Sequence, residues 1–476
     1  MITGEKRHRF YKYSILFIAI NAVFIWFDSF YFALVPFLAA FVLLAIFSLD
    51  KVLLLIVSLV PLSIPLREFA PGSPIDFYIP TEPMLVAVLL LFVYKFLLEG
   101  RFDRQIWRHP VTLLIAFNLL WIGLTALTSS MPIVSIKFFA VRVWFVVAFY
   151  LLATQLFRNP DRIKQYVLAY AIPMLIVIAY AVYRHQAISL FDKNAAHYVM
   201  NPFFTDHTSY GAALALFLPV LLGFAVKGKF TPNQRFLLWV LIVIFTIATI
   251  LSYTRAAWLS LFAVFAIYMV IRLRIKPVFV FSAAFLVLVI LAINWSSIMI
   301  ELNRNKQDSS QDISEHIQSM SNIRTDASNL ERLNRWNSAF RMFAERPVFG
   351  WGPGTYMFQY ASFQLSHEKT IISTNAGDLG NAHSEYFGPL SESGLLGMLS
   401  YLALVIGVML VGFRLYFRLE NPEHKMMALS ITLGFTTYVL HGFLNNFLDT
   451  DKISAPFWGF AAALVALDVY APKTEK

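Results

Sequence analysis

The chain has 476 residues, of which 58% are hydrophobic and 14% charged, with a formal net charge of +10. That balance excludes the soluble classes and fits a polytopic membrane protein. It has no cysteine, which excludes disulfides, thiolate nucleophiles and cysteine metal sites, and its basic residues cluster at the ends of apolar stretches, a pattern of membrane orientation rather than nucleic-acid binding.

In chain order, apolar stretches predict spans near 13–28, 30–48, 52–66, 83–98, 111–128, 138–156, 166–183, 209–226, 236–253, 256–272, 277–295, 395–413, 426–446 and 454–471. Several fall short of the roughly 20 residues a perpendicular helix needs, so some are tilted or re-entrant. The expected fold is an all-α bundle of 12 to 14 transmembrane helices, since only helices satisfy their own backbone groups in lipid. The basic segment 1–12 leads into an apolar run without a small-residue cleavage site, and reads as a retained first span. Four regions follow: an N-terminal transmembrane bundle (1–200), helices around Arg255 (201–295), one long polar loop with helical content (296–394), and C-terminal helices (395–476).

Most of the 38 Lys and Arg residues fall in alternate connections, including Lys6, Arg104, Arg162, Lys229, Arg274 and Arg418. The positive-inside rule then places both termini in the cytoplasm, and the long loop, Arg255 and the 71–81 connection outside.

A loop of roughly a hundred residues is far longer than two helices need for a connection, so its contents matter. Residues 307–311 are its most disorder-like part. Ser328 and Glu331 have capping-box spacing before a helical run in which Leu333, Trp336, Phe340 and Phe343 share one face, and Pro347 ends it. Arg332 borders that apolar face, with Arg335 and Arg346 on the same flank and Arg341 pointing away. The turn Gly350-Trp351-Gly352-Pro353-Gly354 allows positive φ and close backbone approach, serving either as plain loop geometry or as a phosphate cradle. His383 and Glu385 follow, just before the chain re-enters the membrane at Gly394.

Each candidate has a bland reading beside the functional one. Arg255 is either an interfacial arginine snorkelling from a hairpin or a ligand group on the side where arginine is unusual. Arg332 is an exposed helix charge or a site residue; Arg335, Arg341 and Arg346 read mainly as a solvated face, with Arg335 also a candidate for substrate binding. Arg142, five residues after Lys137, is a ligand group or half of a structural ion pair. Asp206 and His207 are a helix start or a substrate contact. His441 and Asp449 read as packing and capping, and a metal site from His207, His383 and His441 lacks any ligand spacing.

An ordered set of motifs then resembles a family. Arg332 with Trp336, the 347–354 turn, His383-Ser384-Glu385-Tyr386 and Glu392-Ser393-Gly394-Leu395-Leu396-Gly397 resemble the domain shared by bacterial O-antigen ligases, O-antigen polymerases and protein O-oligosaccharyltransferases. Thr254-Arg255-Ala256-Ala257-Trp258 resembles the family's earlier Ser/Thr-Arg motif, and His441-Gly442-Phe443 through Asp449 its C-terminal part. The resemblance covers roughly residues 200–470, and departs at Ser384, where the family more often has asparagine.

The resemblance implies a bacterial inner-membrane glycosyltransferase whose donor is a glycan on undecaprenyl pyrophosphate and whose acceptor is a hydroxyl, in a ligase that of lipid A–core, on the periplasmic side. It implies no metal or other cofactor and no nucleic-acid partner. Arg255 and Arg332 would grip the pyrophosphate, because the guanidinium fork matches phosphate oxygens and stays charged. His383 would orient or deprotonate the acceptor. Arg142, Lys137, Asp206, His207, Arg335 and Glu385 would contact substrate. The polymerase and the protein glycosylation enzyme share the same donor requirement, and a lipid-linked oligosaccharide flippase is the alternative of another class.

Overall fold

A computed structural model describes residues 4–29, 31–72, 77–100, 102–294, 315–370, 373–374 and 380–471. The disorder-like stretch 307–311 lies outside the described residues, as does the side chain of Ser328. The chain forms two compact units, Met1–Leu55 and Ile56–Lys476. In the first, α1 (Gly4–Trp26) and α2 (Val35–Phe47) are linked by Phe32, whose ring stacks on Phe17 and Phe24 at 5.1 and 5.0 Å. α3 (Leu49–Leu59) follows.

The second unit holds α4 (Thr81–Glu99), α5 (Pro110–Leu127), α6 (Pro132–Leu156), α7 (Asp161–Gln186), α8 (His207–Lys227), α9 (Pro232–Leu251), α10 (Arg255–Arg272), α11 (Pro277–Ile293), α12 (Glu315–Glu345), α13 (Phe387–Arg418), α14 (Pro422–His441) and α15 (Asp451–Tyr470). Every predicted apolar stretch coincides with a helix, and α12 is the helix within the long loop. Among the described residues nine helices, α4 to α10, α13 and α15, are long and apolar enough to cross a membrane. The chain is therefore an all-α polytopic membrane protein. The rest are shorter, as the brief stretch at 52–66 implies, or more polar: α2 has 13 residues, α3 11 and α11 17, while α14 opens on Glu423, His424 and Lys425.

Helix starts follow local chemistry. α5, α6, α9, α11 and α14 each open on proline, whose missing N–H costs nothing in a first turn. Side chains cap the neighbouring donors: His109 accepts from the N–H of Val111, Thr231 forms a capping box with Gln234, and Asn421 accepts from the N–H of Glu423.

Two helices form the centre. The apolar windows of α8 and α15 are 83% and 89% buried, against 17% for α10 at the periphery. α8 packs most closely on α14, and a methyl group at Gly434 would strike the carbonyl oxygen of Leu216. Small residues at such crossings let helices approach closely where lipid gives no hydrophobic drive to associate.

The same ends of these helices meet. Thr254 Oγ1 at the start of α10 donates to the carbonyl of His207 at the start of α8, 2.9 Å away, and His441 at the end of α14 feels the charges of Asp206 and His207. Here too Lys452 Nζ at the start of α15 donates to the carbonyls of Val60 and Ser63 (2.5 and 2.7 Å), while Asp451 accepts from Ser63 and Thr81. The opposite end carries its own ion pairs: Lys164 with Glu423 at 2.8 Å, and Asp468 with His109, Arg414 and Arg418.

Candidate functional site

The helix of the long loop, α12, is longer than expected. Its described part begins at Glu315, so Ser328 lies inside it rather than at a cap. The buried face also differs from the expected one. Asn334, Arg335, Ser338, Ala339 and Met342 are buried, while Phe340 is 43% exposed and Trp336 only half-buried. The reason is that residues 356–370 cover α12 from the side that 3.6-residue periodicity marks as polar, and Ala339 and Met342 pack there with Tyr356, Tyr360 and Ala382. Trp336 and Phe340 instead pack edge-on against Phe387 at the start of α13, with centroids 5.2 and 5.0 Å apart.

This cover changes the reading of the arginines. Arg335 is not on a solvated face. Its Nε donates to Glu331 at 2.8 Å, its Nη1 to the carbonyl of Asn381 at 3.0 Å, and its guanidinium lies over the Tyr360 ring. Glu331 in turn accepts from Thr370 and Ser373. Arg341 forks onto Glu368 and donates to the carbonyl of Phe363 at 2.6 Å, and Arg346 lies 4.1 Å over the Trp351 ring. Arg341 and Arg346 therefore fasten the cover. Arg332 is half-buried and faces the charges of Asp206 and Arg335.

The glycine turn is a joint and not a phosphate cradle, because its amides are already used. Trp351 and Gly352 N–H donate to the carbonyls of Ser391 and Glu392 at 3.1 and 2.8 Å, and Tyr356 N–H donates to the Glu392 carboxylate. On its other side, Ser135 of α6 donates to the carbonyl of Pro353. The chain also enters α13 earlier than expected, at Phe387, and the helix is kinked at Gly394, where φ is +70°. A methyl group at Gly394 would meet the carbonyl oxygens of Val348 and Pro347. Gly394→Ala is therefore expected to lower the melting temperature, the left-handed backbone costing about 1–2 kcal/mol before any clash; an unchanged melting temperature in the same detergent would contradict the joint.

Between cover and joint lies His383, whose φ of +48° is the left-handed region that non-glycine residues rarely adopt. The strain is held by neighbours on both sides. Its N–H donates to Asn381 Oδ1 at 3.0 Å, and Asn381 is itself held by Arg335. The His383 ring is hydrogen-bonded to Asn445, which also contacts His441 Nε2 at 3.2 Å. Ser384 Oγ accepts from the N–H groups of Tyr386 and Phe387, a capping role that asparagine would also fill.

Glu385, buried, organises the chain that follows α14. Its N–H donates to the carbonyl of Gly442 at 2.8 Å, and its Oε1 accepts from Tyr438 Oη, Phe447 N–H and Leu448 N–H at 2.6, 2.8 and 2.9 Å. Burial pushes its carboxyl above the usual range, with Asp449 adding to the rise and Arg142 opposing it. Glu385→Ala leaves three donors without an acceptor and is expected to cost several kcal/mol, at about 1–3 kcal/mol each, whereas Glu385→Gln keeps an acceptor. Because the folded carboxyl holds its proton more tightly than the unfolded one, wild type should lose stability relative to Glu385→Gln as pH rises through neutrality. Melting temperatures across pH check both.

Around His383 the electrostatics converge. Burial, then Arg335 and Arg332, push its imidazole down to about 3, with Asp206 opposing. Asp206 caps α8, accepting from the N–H of Thr208 at 3.0 Å, and contacts His207 Nδ1 at 3.0 Å. Burial works against its charge, yet His207 and Thr208 hold its carboxyl well below the usual range. His197 stacks on His207 with centroids 4.0 Å apart. Arg255, exposed, directly follows the Thr254 that bonds His207; among the described residues its guanidinium has no hydrogen-bond or ion-pair partner. Arg142 pairs with Asp449 at 3.0 Å and lies over the Phe138 ring. Lys137 is exposed, 6.0 Å over Phe77, and among the described residues it makes no hydrogen bond or ion pair with this cluster.

The structure thus gathers Arg332, Arg335, Asp206, His207 and His383, links Arg142 to them through Asp449 and Glu385, sets Arg255 on the adjoining rim and leaves Lys137 apart. Sequence reasoning missed Asn445, Glu331 and Lys452. The polar Asn445-Asn446 pair soon after His441 was the available signal for the first. Among the described residues no three His, Asp or Glu side chains converge as metal ligands.

No curated protein matches the chain significantly. Residues 240–402 match the family described as O-antigen ligase. They run from α9 into α13, and include Arg255, Arg332, Arg335, His383 and Glu385. Through this domain, about a third of its length, the chain resembles O-antigen ligases, membrane enzymes of the ligase or polymerase kind.

Proposed function

We propose that the protein transfers a glycan from undecaprenyl pyrophosphate to a lipid A–core hydroxyl on the periplasmic face of the bacterial inner membrane. The observation that carries this reading is the meeting of Arg332, Arg335 and His383 at one end of the bundle, where Arg335 and His383 share Asn381 and burial, then the two guanidiniums, keep the imidazole neutral. Two arginines beside a neutral, acceptor-sized base suit a dianionic leaving group and an incoming alcohol.

In this reading Arg332 and Arg255 hold the pyrophosphate, and Arg335 fixes the Asn381–His383 segment while adding its charge. The acceptor oxygen attacks the anomeric carbon from the face opposite the pyrophosphate. The new glycosidic bond forms as the bond to the phosphate oxygen breaks, so the anomeric centre inverts. The hydroxyl proton passes to His383, and the arginines stabilise the charge that collects on the departing pyrophosphate. Arg142, Asp206, His207 and Glu385 shape the walls, and Lys137 contributes through contact with the glycan.

The test supplies purified protein with lipid-linked glycan and, separately, lipid A–core, a second lipid-linked repeat unit, or an acceptor protein. Glycosylated lipid A–core is the expected product. Product only with a second repeat unit would make the protein a polymerase, and product only with acceptor protein an O-oligosaccharyltransferase. No covalent product with any acceptor, together with movement of the lipid-linked glycan across vesicles, would make it a flippase.

A further inference from the structure

Away from the site, α8, α9, α10 and α14 enclose an apolar groove of about 370 Å³, lined by Leu218, Leu222, Thr246, Phe265 and Leu433 among others. Its lining comes from the second half of α8 (Leu218 to Val226), Thr246 of α9, the middle of α10 (Leu261 to Tyr268) and α14 from Met426 to Leu433. Since the starts of α8 and α10 and the end of α14 meet at the candidate site, the groove runs from mid-bundle toward the opposite end, where Val226, Tyr268 and Met426 line it.

The mouth of the groove is basic. Lys227 directly follows the lining residue Val226, and Arg272 sits one turn beyond the lining residue Tyr268. Arg274 and Lys276 follow, all four exposed. No Asp or Glu occurs between Asp206 and Glu301 in the sequence. At this end Glu423 on α14 is already taken by Lys164 and Lys229, and Asp161 by Lys164. An apolar channel ending in uncompensated cations is complementary to one kind of membrane component.

We propose that this groove seats the hydrocarbon of an anionic glycerophospholipid from the leaflet opposite the candidate site, with its phosphate held by Lys227 and Arg272. The polyprenyl tail of a donor fits less well. It would start from the other end, and α8 from Ser209 to Phe217 is buried, leaving no continuous open path along that helix.

The experiment uses full-length protein and native mass spectrometry with equal amounts of palmitoyl-oleoyl phosphatidylglycerol and phosphatidylcholine. Wild type should retain phosphatidylglycerol several-fold over phosphatidylcholine. Leu222→Trp, at a position 40% exposed on the groove wall, should abolish the retained lipid. Lys227→Gln with Arg272→Gln, both on the surface, should leave lipid bound but erase the headgroup preference. Equal retention of both lipids by wild type would overturn the proposal, as would an unchanged adduct in Leu222→Trp, or displacement of the adduct by undecaprenyl phosphate. None of these readouts requires glycan transfer, so the proposal stands or falls apart from the catalytic reading.

Discussion

Arg332→Ala is expected to reduce glycan transfer by about 10²–10³, the usual effect of removing one group aimed at developing charge, while folded yield stays near wild type. The neighbouring Arg335→Ala is expected to behave in the opposite way. Arg335 is 8% exposed and joined to Glu331, which is 3% exposed. Removing one partner of a buried pair strands the other charge and costs about 3–5 kcal/mol, so this variant should melt earlier or fail to accumulate. Arg332 is half-buried and borders Asp206, whose carboxylate keeps its contacts with His207 and Thr208 when Arg332 is lost. Arg332→Lys keeps the charge but loses the fork, and should fall between wild type and alanine. Loss in kcat and kcat/KM together would place the effect in the transition state; a rise in KM alone would make Arg332 a ground-state anchor. Full activity in Arg332→Ala would remove it from the site.

The two arginines also show where sequence reasoning reached its limit. The helices themselves were legible, because a hydrophobic run long enough to enter lipid can hardly be anything else, and each apolar stretch became a helix. Periodicity failed on α12. It assumes one buried face, and α12 is covered by residues 356–370 on one side and touches α13 on another, so periodicity alone reads Arg335 as a surface charge. The glycine turn was recognised as a place of close approach, but the approaching group was α13's own backbone, at positions about forty residues along the chain. The contacts of Glu385 with residues 438–448 needed α14 to return beside α13, which no local pattern encodes. Local signals were better for caps: Asp206 reads as a helix start in sequence, and it is one, while its contact with His207 adds charge at the same place.

Asn445 makes the last and sharpest prediction possible, because it separates the imagined chemistry of His383 from its structural setting. His383→Gly should relieve the backbone strain at φ +48°, and His383→Asn tolerates the same conformation while keeping a side chain able to meet Asn445. Both variants should fold at least as well as wild type, yet lose transfer by about 10²–10⁴, the range that a positioned base supplies. Acid stability gives an independent reading. The unfolded imidazole takes a proton near 6.5, whereas the folded one resists it until about 3. The unfolded state therefore binds more protons in that window, and wild type should lose stability as pH falls through it, more than His383→Asn does. Catalysis adds a third signature. In the free enzyme kcat/KM should show no limb near 6.5 from this residue. A bound pyrophosphate offsets the charges of Arg332 and Arg335, so the imidazole becomes a stronger base only in the complex, and the acid limb of kcat should lie at higher pH than that of kcat/KM. Equal limbs in both, or a fully active His383→Asn, would leave His383 as a structural hydrogen-bonder and move the search for the base to His207 in the same cluster.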